Sequence, residues 1–146
     1  MKSRKLTSFV LFSLILLFVA VENGFSQCNP DSYCANCLTR VPDGFNFLKS
    51  YKIDGLGGQK NKIEYSYVLT KGTQYALNLC TPTEGADGIV VTLLDKERNQ
   101  IASSKIDKQY LSQIAVQCGA TGIYYIQYTF EGSRNFCGGS VLAYKR

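Results

Sequence analysis

The sequence predicts an exported all-β domain, an antiparallel sandwich or barrel of seven or eight short strands. Three observations predict it. Apolar residues alternate with polar ones over most of the second half of the chain. Turn residues interrupt that alternation every 8–12 residues, and no ten-residue helical pattern falls between the runs. All six cysteines follow what reads as a removable export signal.

That signal is residues 1–26. Lys2, Arg4 and Lys5 form a positive start, and residues 9–21 are an unbroken run of apolar and small residues. A run of that length is too short for a hydrocarbon core that needs about 20 residues, but it suits the apolar region of a secretory signal. Gly24 and Ser26 supply the small residues of a cleavage site before Gln27. No later stretch is long and apolar enough to span a bilayer, so the expected form is free of a membrane span, in the periplasm, on the cell surface or secreted.

After residue 26 the chain carries 13 Lys and Arg against 10 Asp and Glu. These charges are scattered singly. Nucleic acid would require a clustered basic face, so it is not an expected partner. About 120 residues make one domain with a modest core. We divide it into a Cys-rich, turn-rich N-terminal arm, 27–62, and a sandwich, 63–146.

The arm is punctuated by Asn29-Pro30-Asp31, Val41-Pro42-Asp43-Gly44 and Asp54-Gly55-Leu56-Gly57-Gly58, each a turn signal. Phe45, Phe47, Leu48 and Tyr51 form one short strand or a packed loop. Beyond Lys62, Ile63, Tyr65, Tyr67 and Leu69 alternate with polar residues as a half-buried strand. Lys71-Gly72-Thr73 turns the chain, and Tyr75, Leu77 and Leu79 share one face. Residues 89–94 are apolar on both faces, as in a central strand. A polar loop, 95–100, leads to a short strand at 101–104. Ile114 and Val116 mark the next, Tyr124, Ile126, Tyr128 and Phe130 the longest, and residues 141–144 the last.

Cys28, Cys34, Cys37, Cys80, Cys118 and Cys137 read as three disulfides in an exported domain of this size. Spacing does not choose among the 15 pairings. With three cysteines in the arm and three in the sandwich, full pairing requires at least one bridge between them, clamping the arm down. Cys34-Ala35-Asn36-Cys37 also has the C-x-x-C spacing of a thiol-redox pair, but no strand precedes it and Asp31 would disfavour a thiolate. Four-cysteine zinc binding needs reduced thiols, which export opposes. Leu38 stands where haem attachment would need histidine.

Histidine and tryptophan are absent. Without histidine, the usual base near neutral pH and the Ser-His and Cys-His nucleophile pairs are missing. Asp31, Asp43, Asp54, Asp95 and Asp107 stand where turns want them, and nothing pairs Glu64 with Glu131. Residues 85–88 and Asp95 could offer loop oxygens to calcium but lack the regular spacing of an EF-hand loop. The expectation is a protein that is not an enzyme and has no cofactor or metal.

Tyrosine is the remaining candidate, with ten copies. Tyr65, Tyr67, Tyr75, Tyr124 and Tyr128 fall on core-facing strand positions. Tyr33, Tyr51, Tyr110 and Tyr125 are expected to be exposed and to form a contact surface, since Tyr joins an apolar body to a polar tip. The expected function is a non-catalytic module that docks on a protein partner at the envelope or outside the cell, with a carbohydrate-binding module as the alternative.

Residues 65–69, 71–73, 91–95, 101–104 and 120–126 together resemble the bacterial pre-peptidase C-terminal domain. The resemblance spans about residues 63–144. It implies a jelly-roll-like antiparallel β-sandwich of the kind appended to exported peptidases, here with a disulfide-tethered N-terminal arm. The ending Phe25-Ser26-Gln27 resembles that of Bacteroidota export signals.

Overall fold

The computed structural model describes residues 28–83, 86 and 88–146. The export signal lies outside the described residues, as do Gly85 and Asp87 of the loop that could offer oxygens to calcium. Among the described residues, an α-helix, α1 (Pro30–Leu38), precedes ten strands: β1 (Asn46–Asp54), β2 (Lys62–Leu69), β3 (Gln74–Cys80), β4 (Ile89–Leu94), β5 (Gln100–Ser103), β6 (Lys105–Ile106), β7 (Gln109–Tyr110), β8 (Gln113–Gln117), β9 (Gly122–Phe130) and β10 (Cys137–Lys145), with one 3-10 turn at Leu56–Gly58.

Eight of these strands make two four-stranded antiparallel sheets. The first has the order β1-β10-β3-β8 and the second β2-β9-β4-β5, while β6 and β7 form a separate hairpin. This interlocked order, with first and last strands paired and the chain passing from sheet to sheet, is that of a jelly roll. The arm is therefore more than a tether, because β1 pairs with β10 along the edge of the first sheet.

The inward rows follow from the two-residue period of a strand. Tyr51 and Ile53 of β1, Leu77 and Leu79 of β3, Leu142 of β10 and Ile114 of β8 meet Leu69, Ile89, Val91, Leu93, Tyr124, Ile126 and Tyr128 of the second sheet in one core. The outward row of β10 is buried too. Val141, Cys37 and Cys80 form a second cluster with Tyr33 and Val41, because α1 lies across the outer face of the first sheet.

The helix is a correction to the arm expected as turn-rich, where Asn29-Pro30-Asp31 is a turn signal. Its start is nonetheless encoded. Asn29 is the N-cap, with its side chain accepting from the Ser32 N–H at 3.4 Å, Pro30 opens the first turn and Asp31 adds a negative charge there. Nine residues with a weak apolar stripe would not hold a helix alone. Tertiary contact does so, through Cys34 and Cys37 pressed on the sheet.

Two bridges fasten this layer, Cys28–Cys137 and Cys37–Cys80. Both link the arm to the sandwich. The third expected bridge is corrected: Cys34 and Cys118 are buried free thiols. Cys34 sits on α1, where its thiol donates to Tyr51 O at 3.3 Å. Cys118 lies beyond the far end of the same sheet, where its thiol donates to Ala120 O at 3.1 Å. The sheet's length separates them.

Candidate functional site

A jelly roll collects its connections at two ends. At one end stand the β1–β2 connection (55–61), the described residues 81–83, 86 and 88 of the β3–β4 connection, the β5–β8 connection (104–112) with its β6–β7 hairpin, and the β9–β10 connection (131–136). The N-terminus of α1 and the Cys28–Cys137 bridge join them. These loops are locked to one another. Gly55 N–H donates to Phe136 O at 2.7 Å and Glu131 N–H to Gly88 O at 2.7 Å. The Phe130 and Phe136 rings lie 5.2 Å apart, and Lys105 pairs with Glu131.

Gly55 is a close-approach position, since a Cβ there would stand 2.8 Å from Phe130 Cζ. The residues that follow turn sharply, with φ of 50° at Leu56, 63° at Gly57 and 98° at Gly58. Glycine tolerates that region freely, whereas leucine in it is strained. The strain is held by the Asp54 carboxylate, which accepts from the Leu56 N–H at 2.8 Å, and by Gly58 N–H donating to Gly55 O at 3.0 Å. The side chain of Leu56 is left 46% exposed.

Leu56 stands on the wall of a groove of about 1110 Å³ that Tyr33, Pro82, Arg134, Phe136 and the Cys28–Cys137 bridge also line. Arg134 is shared with a second depression of about 660 Å³, bordered by Tyr110, Glu131 and Ser133. Tyr33 and Tyr110 therefore flank Arg134 at one end of the molecule. Two of the four tyrosines expected to be exposed thus lie at this end, in two depressions that share Arg134.

The other two do not. Tyr51 is a correction: it is only 2% exposed, because β1 is a sheet strand and Tyr51 faces inward, its ring 4.9 Å from Tyr65. Tyr125 is half-buried on the outer face of the second sheet, and the Arg98 guanidinium lies 3.6 Å from its ring centroid. Arg98 also holds Glu64 at 2.7 Å, and this contact keeps the Glu64 carboxyl below its ordinary range. Glu64 and Glu131 thus belong to different faces, each engaged by a cation.

Cys34 does not have the environment of a redox thiol. Burial pushes its pKa up, whereas a reactive cysteine needs a stabilised thiolate. Its C-x-x-C partner Cys37 is bonded to Cys80. Among the described residues, no three His, Cys, Asp or Glu side chains are grouped so as to hold a metal ion, and no helix is long and apolar enough to cross a membrane.

Leu56, Arg134 and Phe136 are not among the contact residues expected from the sequence. A signal for Leu56 was present, a leucine set among three glycines. Arg134 and Phe136 gain their place only when β9–β10 folds back beside β1–β2.

Fold and site together define a jelly-roll sandwich with a rigid loop end and a helix stapled to its side. No family model matches the chain, and no curated protein matches it. Among solved structures it is similar to Aeromonas hydrophila PliG, a periplasmic lysozyme inhibitor of g-type lysozyme, at 15% identity and a TM-score of 0.42, over 70% of this chain and 85% of that one. It is also similar to the pre-peptidase C-terminal domain of collagenase from Bacillus anthracis, at 10% identity and a TM-score of 0.38, over 66% of this chain and 84% of that domain. The fold itself rests on the strand order above.

Proposed function

We propose that this chain is an exported, non-catalytic module that docks on a protein partner through its loop end. The observation that carries the reading is Leu56. An apolar side chain held out to solvent on a strained backbone costs folding energy and adds nothing to the core, and such outliers gather at binding sites. The groove beside it supplies what a hot spot uses: aromatic surface from Tyr33 and Phe136 and a cation at Arg134. The bridge and locked loops limit the ordering that binding would require.

The carbohydrate-binding alternative has less support. Sugar stacking needs an open aromatic face, and one face of Tyr125 is covered by Arg98. Export is favoured by the two bridges. The test is capture of partners by the tagged protein from its native envelope, with variants on opposite surfaces. Leu56→Asp and Tyr33→Ala should each weaken binding of the captured partner at least about tenfold. Val68→Asp, on the outer face of the second sheet, should leave it unchanged. Equal binding by all three variants would sink the loop-end reading.

A further inference from the structure

The opposite end of the sandwich holds a different feature. Between the sheets, where β4, β5, β8 and β9 end, lies a cavity of about 390 Å³ open on one side. Leu69, Leu93 and Tyr124 of the second sheet and Val116 of the first line it, with Ile101 and Ile123 also on its walls. It is more than twice the size of the ~150 Å³ engineered apolar cavity that binds benzene, and within the range of small-molecule sites.

Its origin is a missing side chain. The inward row of β9 runs Gly122, Tyr124, Ile126, Tyr128, Phe130, and Gly122 pairs with the fully buried Leu69. A Cβ at Gly122 would meet nothing within 4 Å, and the backbone there is not left-handed. Neither turn geometry nor crowding explains glycine at the head of a row of large residues. The space it leaves does.

The charged side chains and the buried hydroxyl and thiol around the cavity are already engaged. Tyr124 Oη–H donates to Ala120 O at 2.9 Å and the Cys118 thiol to the same oxygen at 3.1 Å. The Asp95 carboxylate accepts from Asn99, and Lys96 pairs with Glu97. The carboxylates and the lysine on the rim are thus held by neighbours within the protein, and shape and apolar contact are what the interior offers a ligand.

We infer that the cavity headed by Gly122 is a binding site for the alkyl chain of a small uncharged molecule. The site is separate from the loop-end groove and independent of the function proposed for that groove.

The test is titration of the isotope-labelled exported protein with 1-octanol, read by amide NMR shifts. A second titration with lysophosphatidylcholine asks whether a lipid can deliver the same chain. Octanol should produce saturable shifts at Ile101, Gly119 and Gly122 and none at Leu56 or Tyr33. Gly122→Leu should fill the space and weaken binding more than tenfold while the spectrum stays dispersed. Should that variant fail to fold, Gly122→Ala, whose methyl group meets no neighbour, should weaken binding by a smaller factor. Absence of saturable shifts up to the solubility limit of octanol, or equal binding by a folded Gly122 variant, would overturn the proposal. Response to the lysolipid alone would overturn the choice of a small uncharged molecule.

Discussion

Cysteine and tyrosine carry the residue-scale chemistry of this protein. The two bridges and the two thiols differ by where the fold puts each sulfur. Alkylation under denaturing, non-reducing conditions should therefore label two cysteines, counted by mass, and Cys34→Ser should reduce the number to one. Three or more labels in the exported protein, or none, would contradict the pairing described. Cys80→Ala breaks the bridge that holds α1 to β3 and should cost about 2–5 kcal/mol, measured by urea unfolding. Tyr51 offers a sharper contrast. Its hydroxyl is buried and makes no hydrogen bond, so Tyr51→Phe removes an unsatisfied group and should be neutral or stabilising. Tyr51→Ala removes the ring from the core and should cost about 3–5 kcal/mol. Damage from both changes would place a partner on that hydroxyl. Tyr51 also shows a limit of local reading. Its neighbours Ser50 and Lys52 are polar, and only pairing with Ser140 of β10 turns it inward.

Helix α1 shows at the element scale how a weak local preference becomes a fixed structure. Its seat on the sheet depends on Gly139 of β10, where an added Cβ would fall 2.4 Å from the Cys34 backbone nitrogen. Nothing but hydrogen fits there. Gly139→Ala should push the helix off the sheet and cost about 1–3 kcal/mol, with Cys34 becoming accessible to a thiol reagent in the folded protein. Asn29→Ala removes only the cap and should cost about 1 kcal/mol without exposing Cys34. The strands were far more legible than the helix. Residues 89–94 match β4 at both ends, and the alternating rows of β2, β3 and β9 fall where their period places them. β1 was ambiguous, because it lies at a sheet edge and most of its residues are exposed. The β6–β7 hairpin went unread, since two residues per strand leave no period to detect.

The whole molecule is a sandwich whose core is rich in protonated phenols. Burial raises the pKa values of Tyr51, Tyr65, Tyr124 and Tyr128 above that of a free tyrosine. An acid whose folded-state pKa is raised contributes stability that is complete below the unfolded-state value, about 10, and is lost as pH rises past it. Stability should therefore fall steeply above about pH 10. The ultraviolet phenolate band of these four tyrosines should develop only as the β-sheet circular dichroism disappears. Full ionisation of every tyrosine near pH 10 with the circular dichroism intact would contradict the raised pKa values of these four.

Sequence alone determined the fold class and the order of the main strands. Those properties rest on periodicity and composition, which are local. Tertiary structure decided which cysteines pair, that α1 forms, that Tyr51 is core, and that Leu56, Tyr33 and Arg134 share one groove. Each depends on chain segments far apart in sequence. The Cys28–Cys137 bridge, for example, joins residues 109 positions apart, and no spacing within the arm encodes that meeting. The jelly roll brings those ends together by pairing β1 with β10.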